Sequence, residues 1–455
     1  MMGRQAVPER LFYDFSFETH IPTDHLLRKV DAALDFSFVT VALKVHYSDI
    51  GRPSVDPELM IRMLMIGYLM GIRSERRLCA EVHLNIAYRW FCKLGLEGKV
   101  PDPSSFSKNR YGRFRDSDIF RTIFEEVVRR CIEAGLVGGE GMSVDGSLVE
   151  ADASRERRVP GTEPPAQWQD PTAVSRPVRD YLEALDQAAA HEAAASNLPA
   201  PKFISETDPA AAWTAKAGPA VFGYEANYLV DTGAGGIIVD VEATPAGPSH
   251  EVIAAKIMVE RIEDCFGLRP ERLAADTTYG TGPFLTWLIE RQVEPHVPVR
   301  AGSARGKLPR EFFTFDEQEN CFVCPEGHRL THRGKHKEAR SDVYYASPLD
   351  CRVCPRKAEC TSGPARRLLR HWDEKVREKV NGLAETEAFV RSRRERKKVE
   401  MRFAHLKQHL GLRRLKLRGL RGAAEEFTLA AAAQNIKMMV KYLLPPDAQA
   451  TLYPA

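Results

Sequence analysis

The sequence has no run of apolar residues long enough to cross a bilayer, which takes about 20 residues. Its longest apolar stretch, Leu59 to Ile72, is interrupted by Arg62 and predicts a buried helix instead. The opening residues, MMGRQAVPERLFYDF, contain no apolar core followed by small residues at a cleavage site, so no secretory signal is expected. We therefore expect no membrane partner and a cytoplasmic location.

Net charge is also small, at +3 for 455 residues, but it is unevenly spread. Residues 391–421 contain thirteen Lys or Arg against two acids, Glu395 and Glu400. A cationic block of this density is typical of a surface that binds a polyanion. The overall composition, 44% hydrophobic and 28% charged, excludes disorder of the whole chain and allows two or three domains with their own cores.

A disulfide framework is not expected, because the nine cysteines occur without an export signal. Cys321 and Cys324 form one Cys-x₂-Cys pair, and Cys351 and Cys354 form a second pair after 26 intervening residues, which is the arrangement of a zinc ribbon. We expect a structural Zn²⁺ site, because four thiolates leave no open coordination position. Cys360 is a fifth candidate, and the spacing alone leaves the choice of four ligands open.

The pattern of apolar residues divides the chain into four predicted regions. Residues 1–135 are helical, with one helix start predicted at Gly51-Arg52-Pro53, and form a candidate DNA-binding domain. Residues 136–310 begin a mixed α/β catalytic domain, in which 154–220 is an inserted connector with one helix from Pro177 to Ser196. Residues 311–370 form the cysteine-rich, zinc-ribbon-like insertion, and residues 371–455 complete the catalytic domain with helices and a basic DNA-binding face.

Two aspartates stand where predicted strands give way to turns. Asp145 lies in the segment Gly141 to Glu150, which alternates like a strand that ends in a polar turn, and Asp276 ends a predicted strand that starts at Glu271. Phosphoryl transfer on DNA uses two divalent ions held by converging carboxylates, and oxygen ligands favour Mg²⁺. An aspartate at a strand end is more often a turn former or a helix cap, so each residue alone is weak evidence.

A third carboxylate lies in the basic block. Arg396, Glu400 and Lys407 are spaced at −4, 0 and +7, which places them within about 40° of one another on a single helix. The simpler reading is a surface ion pair between Arg396 and Glu400, which contributes little to stability. The surrounding positive charge favours a metal ligand placed between two cations that bind phosphate.

With these residues the chain resembles the bacterial insertion-sequence transposases, which carry a DDE catalytic triad on an RNase H-like fold. The resemblance runs along most of the chain and lies in five segments: GRPSVDPE at 51–58; VDGSLVEADAS at 144–154; SETDP at 205–209 with Gly223-Tyr224; ADTTYG at 275–280; and VEMRFAHLK at 399–407, followed by Arg418-Gly419 and Asn435.

The resemblance implies that Asp145, Asp276 and Glu400 are the catalytic ligands of Mg²⁺ or Mn²⁺. It also implies an Arg-x₃-Glu-x₆-Lys pattern at Arg396, Glu400 and Lys407. Many relatives have a tyrosine three residues before that arginine, where this chain has Arg393. Relatives also carry a cysteine-rich insertion whose pattern selects Cys324, Cys351, Cys354 and Cys360, whereas the paired spacing selects Cys321 instead of Cys360.

The partner implied by the resemblance is double-stranded DNA, both the ends of a mobile element and its target. A homodimer is expected because two ends must be cut and joined together, and a bacterial cytoplasmic protein near the nucleoid is expected. The predicted DNA-binding residues are Arg393, Arg396, Lys398, Arg402, Lys407 and Arg418. Two competing hypotheses are an inactive or domesticated relative that only binds DNA, and a general metal-dependent nuclease of the same fold.

Overall fold

The computed structural model of the protein describes residues 15–48, 50, 54–170, 172–190, 201–215, 218–299 and 308–443. The helix start predicted at Gly51-Arg52-Pro53 and the helical residues predicted at 191–196 lie outside this range.

Helices are found along most of the described chain. Their bounds are α1 (Phe17–His20), α2 (Leu26–Ala33), α3 (Phe38–Leu43), α4 (Pro57–Leu69), α5 (Glu75–Leu84), α6 (Ile86–Phe91), α7 (Pro103–Asn109), α8 (Ile119–Glu133), α9 (Arg176–Ala190), α10 (Pro248–Phe266), α11 (Gly282–Glu290), α12 (Pro348–Val353), α13 (Lys357–Cys360), α14 (Glu374–Leu383), α15 (Glu387–Glu395), α16 (Lys397–Gln408) and α17 (Gly419–Leu443).

Among the described residues, strands lie between Gly141 and His371. Their bounds are β1 (Gly141–Glu150), β2 (Arg158–Pro160), β3 (Phe203–Ser205), β4 (Ala212–Thr214), β5 (Val221–Asp231), β6 (Ile238–Pro245), β7 (Arg272–Ala274), β8 (Glu294–His296), β9 (Thr314–Asp316), β10 (Cys321–Val323), β11 (Arg329–His336), β12 (Ser341–Ala346) and β13 (Arg367–His371).

The chain divides into two compact units, each made of separate segments. The larger unit comprises Met1–Gly139, Asp145–Leu268 and Lys398–Ala455, and the smaller unit comprises Glu140–Val144 and Arg269–Lys397. Strand β1 therefore begins in the smaller unit and continues into the larger one. The domain ranges predicted from the sequence remain predictions.

In the larger unit, the Ala-rich helix α17 forms the centre of the helical packing. It lies against α2, α4, α8, α9 and strand β6, and its run Ala430 to Ala433 is fully buried. Helix α4 begins with Asp56 as the N-cap and Pro57 in the first turn, two favourable starting residues. Arg62, which interrupts the apolar run of α4, is buried and donates hydrogen bonds to Glu58 at 2.8 Å and to Asp31 at 2.5 Å. The predicted buried helix is confirmed, and the charge that interrupts its apolar run is paired.

The strands of the larger unit surround β5. Strands β4 and β6 pair with β5 in antiparallel fashion, and β1 is its other neighbour. The turn between β5 and β6 is glycine-rich, and Gly236 has a φ of +53°, a conformation that favours glycine. The connector after β1 contains the antiparallel β2–β3 pair and a small core of Trp168, Val178 and Ile204.

In the smaller unit, Gly141 to Ser143 of β1 pair in parallel with β7, and β7 pairs in parallel with β8. The register aligns Gly141 with Arg272 and Ser143 with Ala274. A second sheet has the antiparallel order β13-β12-β11-β10-β9, with a core that includes Phe322, Leu330 and Tyr344. The cysteine-rich insertion is therefore built around a five-stranded sheet.

The predicted mixed α/β class is confirmed by this combination of helices and sheets. Over the described ranges, every helix is too short or too polar to span a membrane.

Candidate catalytic carboxylates and their supports

Asp145 lies in the middle of β1, not at the end of a strand. The prediction that the strand ends there is wrong, because β1 continues to Glu150 along β5. The parallel pairing with β7, however, stops at Ser143. The carboxylate is partly buried, and its Oδ1 accepts a hydrogen bond of 2.9 Å from the Gly146 amide.

Gly146 is required by close packing beside Asp145. A methyl group at Gly146 would come within 2.9 Å of Asn227 Oδ1 and within 3.5 Å of the carboxyl carbon of Glu251. Glu251 is only 3% exposed and lies in the first turn of α10. Sequence reasoning missed this buried acid, and the signal for it was only an acidic residue in a first helical turn, where a carboxylate is common.

Asp276 follows β7 and shapes the turn after it. It is the N-cap of the 3₁₀ turn Thr277–Tyr279, where Oδ1 accepts a hydrogen bond from the Thr278 amide at 2.7 Å and Oδ2 accepts one from the Thr278 hydroxyl at 3.3 Å. The predicted order of strand, acid and tight turn is confirmed. These bonds orient the carboxylate.

Glu400 is an exposed residue on α16, and Lys407 lies on the same helix. Arg396 is not part of α16; it is the C-cap residue of α15, where its amide donates to the Ser392 carbonyl at 2.9 Å. The prediction of one continuous helix through Arg396, Glu400 and Lys407 is therefore wrong at Arg396. Arg393 lies on the exposed side of α15.

Two cations that flank Glu400 hold α16 against the turn between β5 and β6. Lys398 donates to the carbonyls of Thr232 and Gly233, the second at 2.8 Å. Arg402 donates to the carbonyls of Gly235 and Gly236, each at 2.8 Å. These intramolecular bonds were missed from the sequence, where both residues were predicted to bind DNA. That DNA contact remains a prediction, while their observed contacts position the helix that carries Glu400.

The apolar side of α16 adds to this support. Phe403 stacks on Tyr228 with ring centroids 4.7 Å apart, and Val399 and Leu406 are fully buried. An aromatic pair of this kind contributes about 0.5–1.5 kcal/mol beyond its buried area. Rotation of α16 is therefore opposed on two sides.

Asn435 joins α17 to the start of β6. Its amide oxygen accepts a hydrogen bond from the Ile238 amide at 2.9 Å, and its amide nitrogen donates to the Ile238 carbonyl at 2.7 Å. The side chain is 1% exposed. A buried strand end thus obtains both of its hydrogen bonds from one side chain.

The cysteines of the smaller unit occupy different surroundings. Cys321 is buried within β10, whereas Cys324, Cys351 and Cys360 pack around the core of the five-stranded sheet. Burial raises the pKa of the Cys360 thiol, and the nearby thiols of Cys351, Cys354 and Cys324 contribute to the same direction against the effect of Arg366.

Among the residues that the structure describes, His, Cys, Asp and Glu side chains nowhere form a group of three or more arranged to hold a metal ion. The zinc site predicted from the cysteine spacing is therefore unsupported by the arrangement of these side chains. Zinc binding remains a prediction from the sequence.

Comparisons with known proteins support the family resemblance. A Transposase domain (DUF772) matches residues 15–111, and a Transposase DDE domain matches residues 323–440, which include Glu400. The chain is also similar to a solved structure of the piggyBac transposase synaptic complex with hairpin DNA, at 10% identity and a TM-score of 0.31, over 94% of this chain and 85% of that chain. No curated protein matches the chain significantly. The two sequence matches confirm the resemblance to DDE transposases.

Proposed function

We propose that this chain, which carries two segments of transposase sequence, is an active DNA transposase. It binds the terminal inverted repeats of a mobile element, cleaves the element's ends and joins their 3′-hydroxyls to target DNA. Asp145, Asp276 and Glu400 are the proposed ligands of Mg²⁺ or Mn²⁺. The bound ions would activate the attacking oxygen and stabilise the leaving oxygen of each phosphoryl transfer.

The parallel pairing of β1 with β7 is the observation that carries this proposal. The pairing ends at Ser143 and Ala274, and an aspartate stands two residues after each of these positions, Asp145 within β1 and Asp276 after β7. Their oxygen donors match the preference of Mg²⁺. An RNase H-like core, proposed for β1 and β5 to β8, is consistent with a β5–β6 hairpin and a parallel β1–β7–β8 order.

The residues around the proposed metal ligands have separate roles. Arg396 and Lys407 are proposed to bind phosphates of the DNA end, together with the exposed Arg393. Lys398 and Arg402 hold Glu400 in position through the hairpin carbonyls. A homodimer is proposed because two DNA ends must be processed together.

The test is a cleavage assay with Mg²⁺ and labelled DNA that contains the inverted repeats flanking the gene. Glu400→Gln or Asp276→Asn should reduce end cleavage by at least about 1,000-fold, because each ligand supports several kcal/mol of metal-dependent stabilisation. Binding of the same DNA in Ca²⁺ should remain. Glu385→Gln, which neutralises an exposed acid between α14 and α15, is the matched control and should cleave normally.

If the Glu400→Gln variant cleaves the DNA ends as fast as the wild-type protein, Glu400 is not a metal ligand. Binding without cleavage by the wild-type protein would instead favour an inactive DNA-binding relative. Cleavage of arbitrary DNA without strand joining would favour a general nuclease.

A further inference from the structure

The loop between α16 and α17 is anchored by leucines and exposes arginines. Leu412, Leu415 and Leu417 are at most 3% exposed, whereas Arg413 and Arg414 between them are exposed. The Leu415 amide donates to the Glu150 carbonyl at 2.8 Å, and the Glu150 amide donates to the Arg413 carbonyl at 3.1 Å. The loop is therefore fixed along the end of β1, and its arginine side chains face solvent.

A second basic segment follows β1 directly. Arg155, Arg157 and Arg158 are exposed at the start of the β2–β3 ribbon, and Lys202 is exposed at the start of β3. The Arg158 guanidinium lies 5.2 Å from the centre of the Phe203 ring and 5.3 Å from that of Trp213. Aromatic faces of this kind hold cations in place at low cost in desolvation.

These two segments are joined by hydrogen bonds within the larger unit. Arg418 Nε donates to Asp152 Oδ2 at 3.0 Å, and Arg414 pairs with the same carboxylate at 3.5 Å. At the other end, the Gly419 amide donates at 3.1 Å to Asp208, a buried carboxyl three residues after β3. The loop and the ribbon thus form one continuous surface, which we call the ribbon–loop surface and which comprises Arg155, Arg157, Arg158, Lys202, Arg413, Arg414 and Arg418.

The ribbon–loop surface differs from the basic face of α16 because some of its cations have no partner within the described structure. Within the described part of the chain, the side chains of Arg155, Arg157 and Arg413 make no hydrogen bond, ion pair or ring contact. Lys398 and Arg402, in contrast, donate to the carbonyls of the β5–β6 turn. Cations without intramolecular partners remain free to neutralise an external anion.

We propose that the ribbon–loop surface binds the phosphate backbone of double-stranded DNA, separately from the three carboxylates. Duplex DNA presents a negative charge about every 1.7 Å along its axis, so it can engage cations from both segments together. This contact does not depend on the DNA sequence, because it involves phosphates and no base edges. The inference rests on the proposed function for its choice of partner, but not on the catalytic residues.

The test uses fluorescence anisotropy with a short fluorescein-labelled duplex of arbitrary sequence, over about 0.05–0.2 M salt. The variant Arg155→Gln/Arg413→Gln removes one free cation from each segment. The slope of log affinity against log salt should be smaller in magnitude than that of the wild type by about 1.8. The affinity near 0.15 M salt should fall by on the order of 30-fold. Circular dichroism and urea unfolding should match the wild type, since neither side chain makes a hydrogen bond, ion pair or ring contact within the described structure.

The matched control is Arg129→Gln/Arg130→Gln, which makes the same charge change on α8, where both arginines pair with Glu126. The control should keep the wild-type salt dependence. Equal slopes for the ribbon–loop variant and the wild type would overturn the proposal, and so would equal losses in both double variants. A shallower slope in the ribbon–loop variant alone supports DNA binding by this surface, whether or not the wild type cleaves terminal DNA. Failure of the wild type to cleave terminal DNA would refute only the proposed function.

Discussion

Replacement of Asn435 by alanine should strongly destabilise the larger unit. The substitution removes the only side chain that satisfies both the amide and the carbonyl of Ile238 in the described structure, with bonds of 2.9 and 2.7 Å. Each buried group left without a partner costs about 1–3 kcal/mol, so the expected loss is about 2–6 kcal/mol. A typical domain has about 5–15 kcal/mol of total stability, so this is a large fraction of it.

The loss can be measured by urea unfolding, monitored by circular dichroism. Asn381→Ala, at an exposed position on α14, is a suitable control and should change stability by less than about 0.5 kcal/mol. Asn435→Asp should destabilise the larger unit at least as much as Asn435→Ala at neutral pH, because it keeps an acceptor for the Ile238 amide but places a buried carboxylate against the Ile238 carbonyl. If Asn435→Ala unfolds at the same urea concentration as the wild type, the two hydrogen bonds do not stabilise the larger unit.

Two further predictions concern pH and metal. Burial raises the pKa of Glu425 to about 7 from its ordinary 4.5, so the stability that comes from its protonated form is full below pH 4.5 and is lost as the pH rises through 7. Glu425→Gln should therefore unfold at a higher urea concentration than the wild type at pH 8 but not at pH 4. The same difference at both pH values would show that burial of the Glu425 carboxylate is not the cause. The family resemblance predicts one zinc per chain by elemental analysis of the purified protein, lost in Cys354→Ser and retained in Cys321→Ser, whereas zinc-free wild-type protein would exclude the site.

Patterns in the sequence predicted the features that depend on local chemistry. The strand, acid and turn at Asp276 are set by neighbouring residues, since an aspartate at an N-cap accepts a hydrogen bond from the amide two positions later. The buried helix around Arg62 followed from its apolar run. The transposase resemblance, confirmed by two family matches, followed from motifs that are short and contiguous.

The features that the sequence did not reveal depend on residues far apart in the chain. Lys398 and Arg402 belong to a cationic block, and only the fold shows that they donate to carbonyls 165 to 167 positions earlier. The bonds between Asn435 and Ile238 span 197 positions. The extension of β1 beyond Asp145 also depends on a distant segment, because β1 pairs there with β5, which lies about 80 residues later in the sequence.

The position of α17 has a consequence for synthesis on the ribosome. Helices α2, α4 and α8 pack against this helix, yet α8 ends at Glu133 and α17 begins at Gly419. At about 5–20 residues per second, the first helices leave the exit tunnel roughly 15–60 s before the helix that covers them. During that interval their apolar faces are available to chaperones, and a nascent chain that stops before Gly419 lacks the means to bury them.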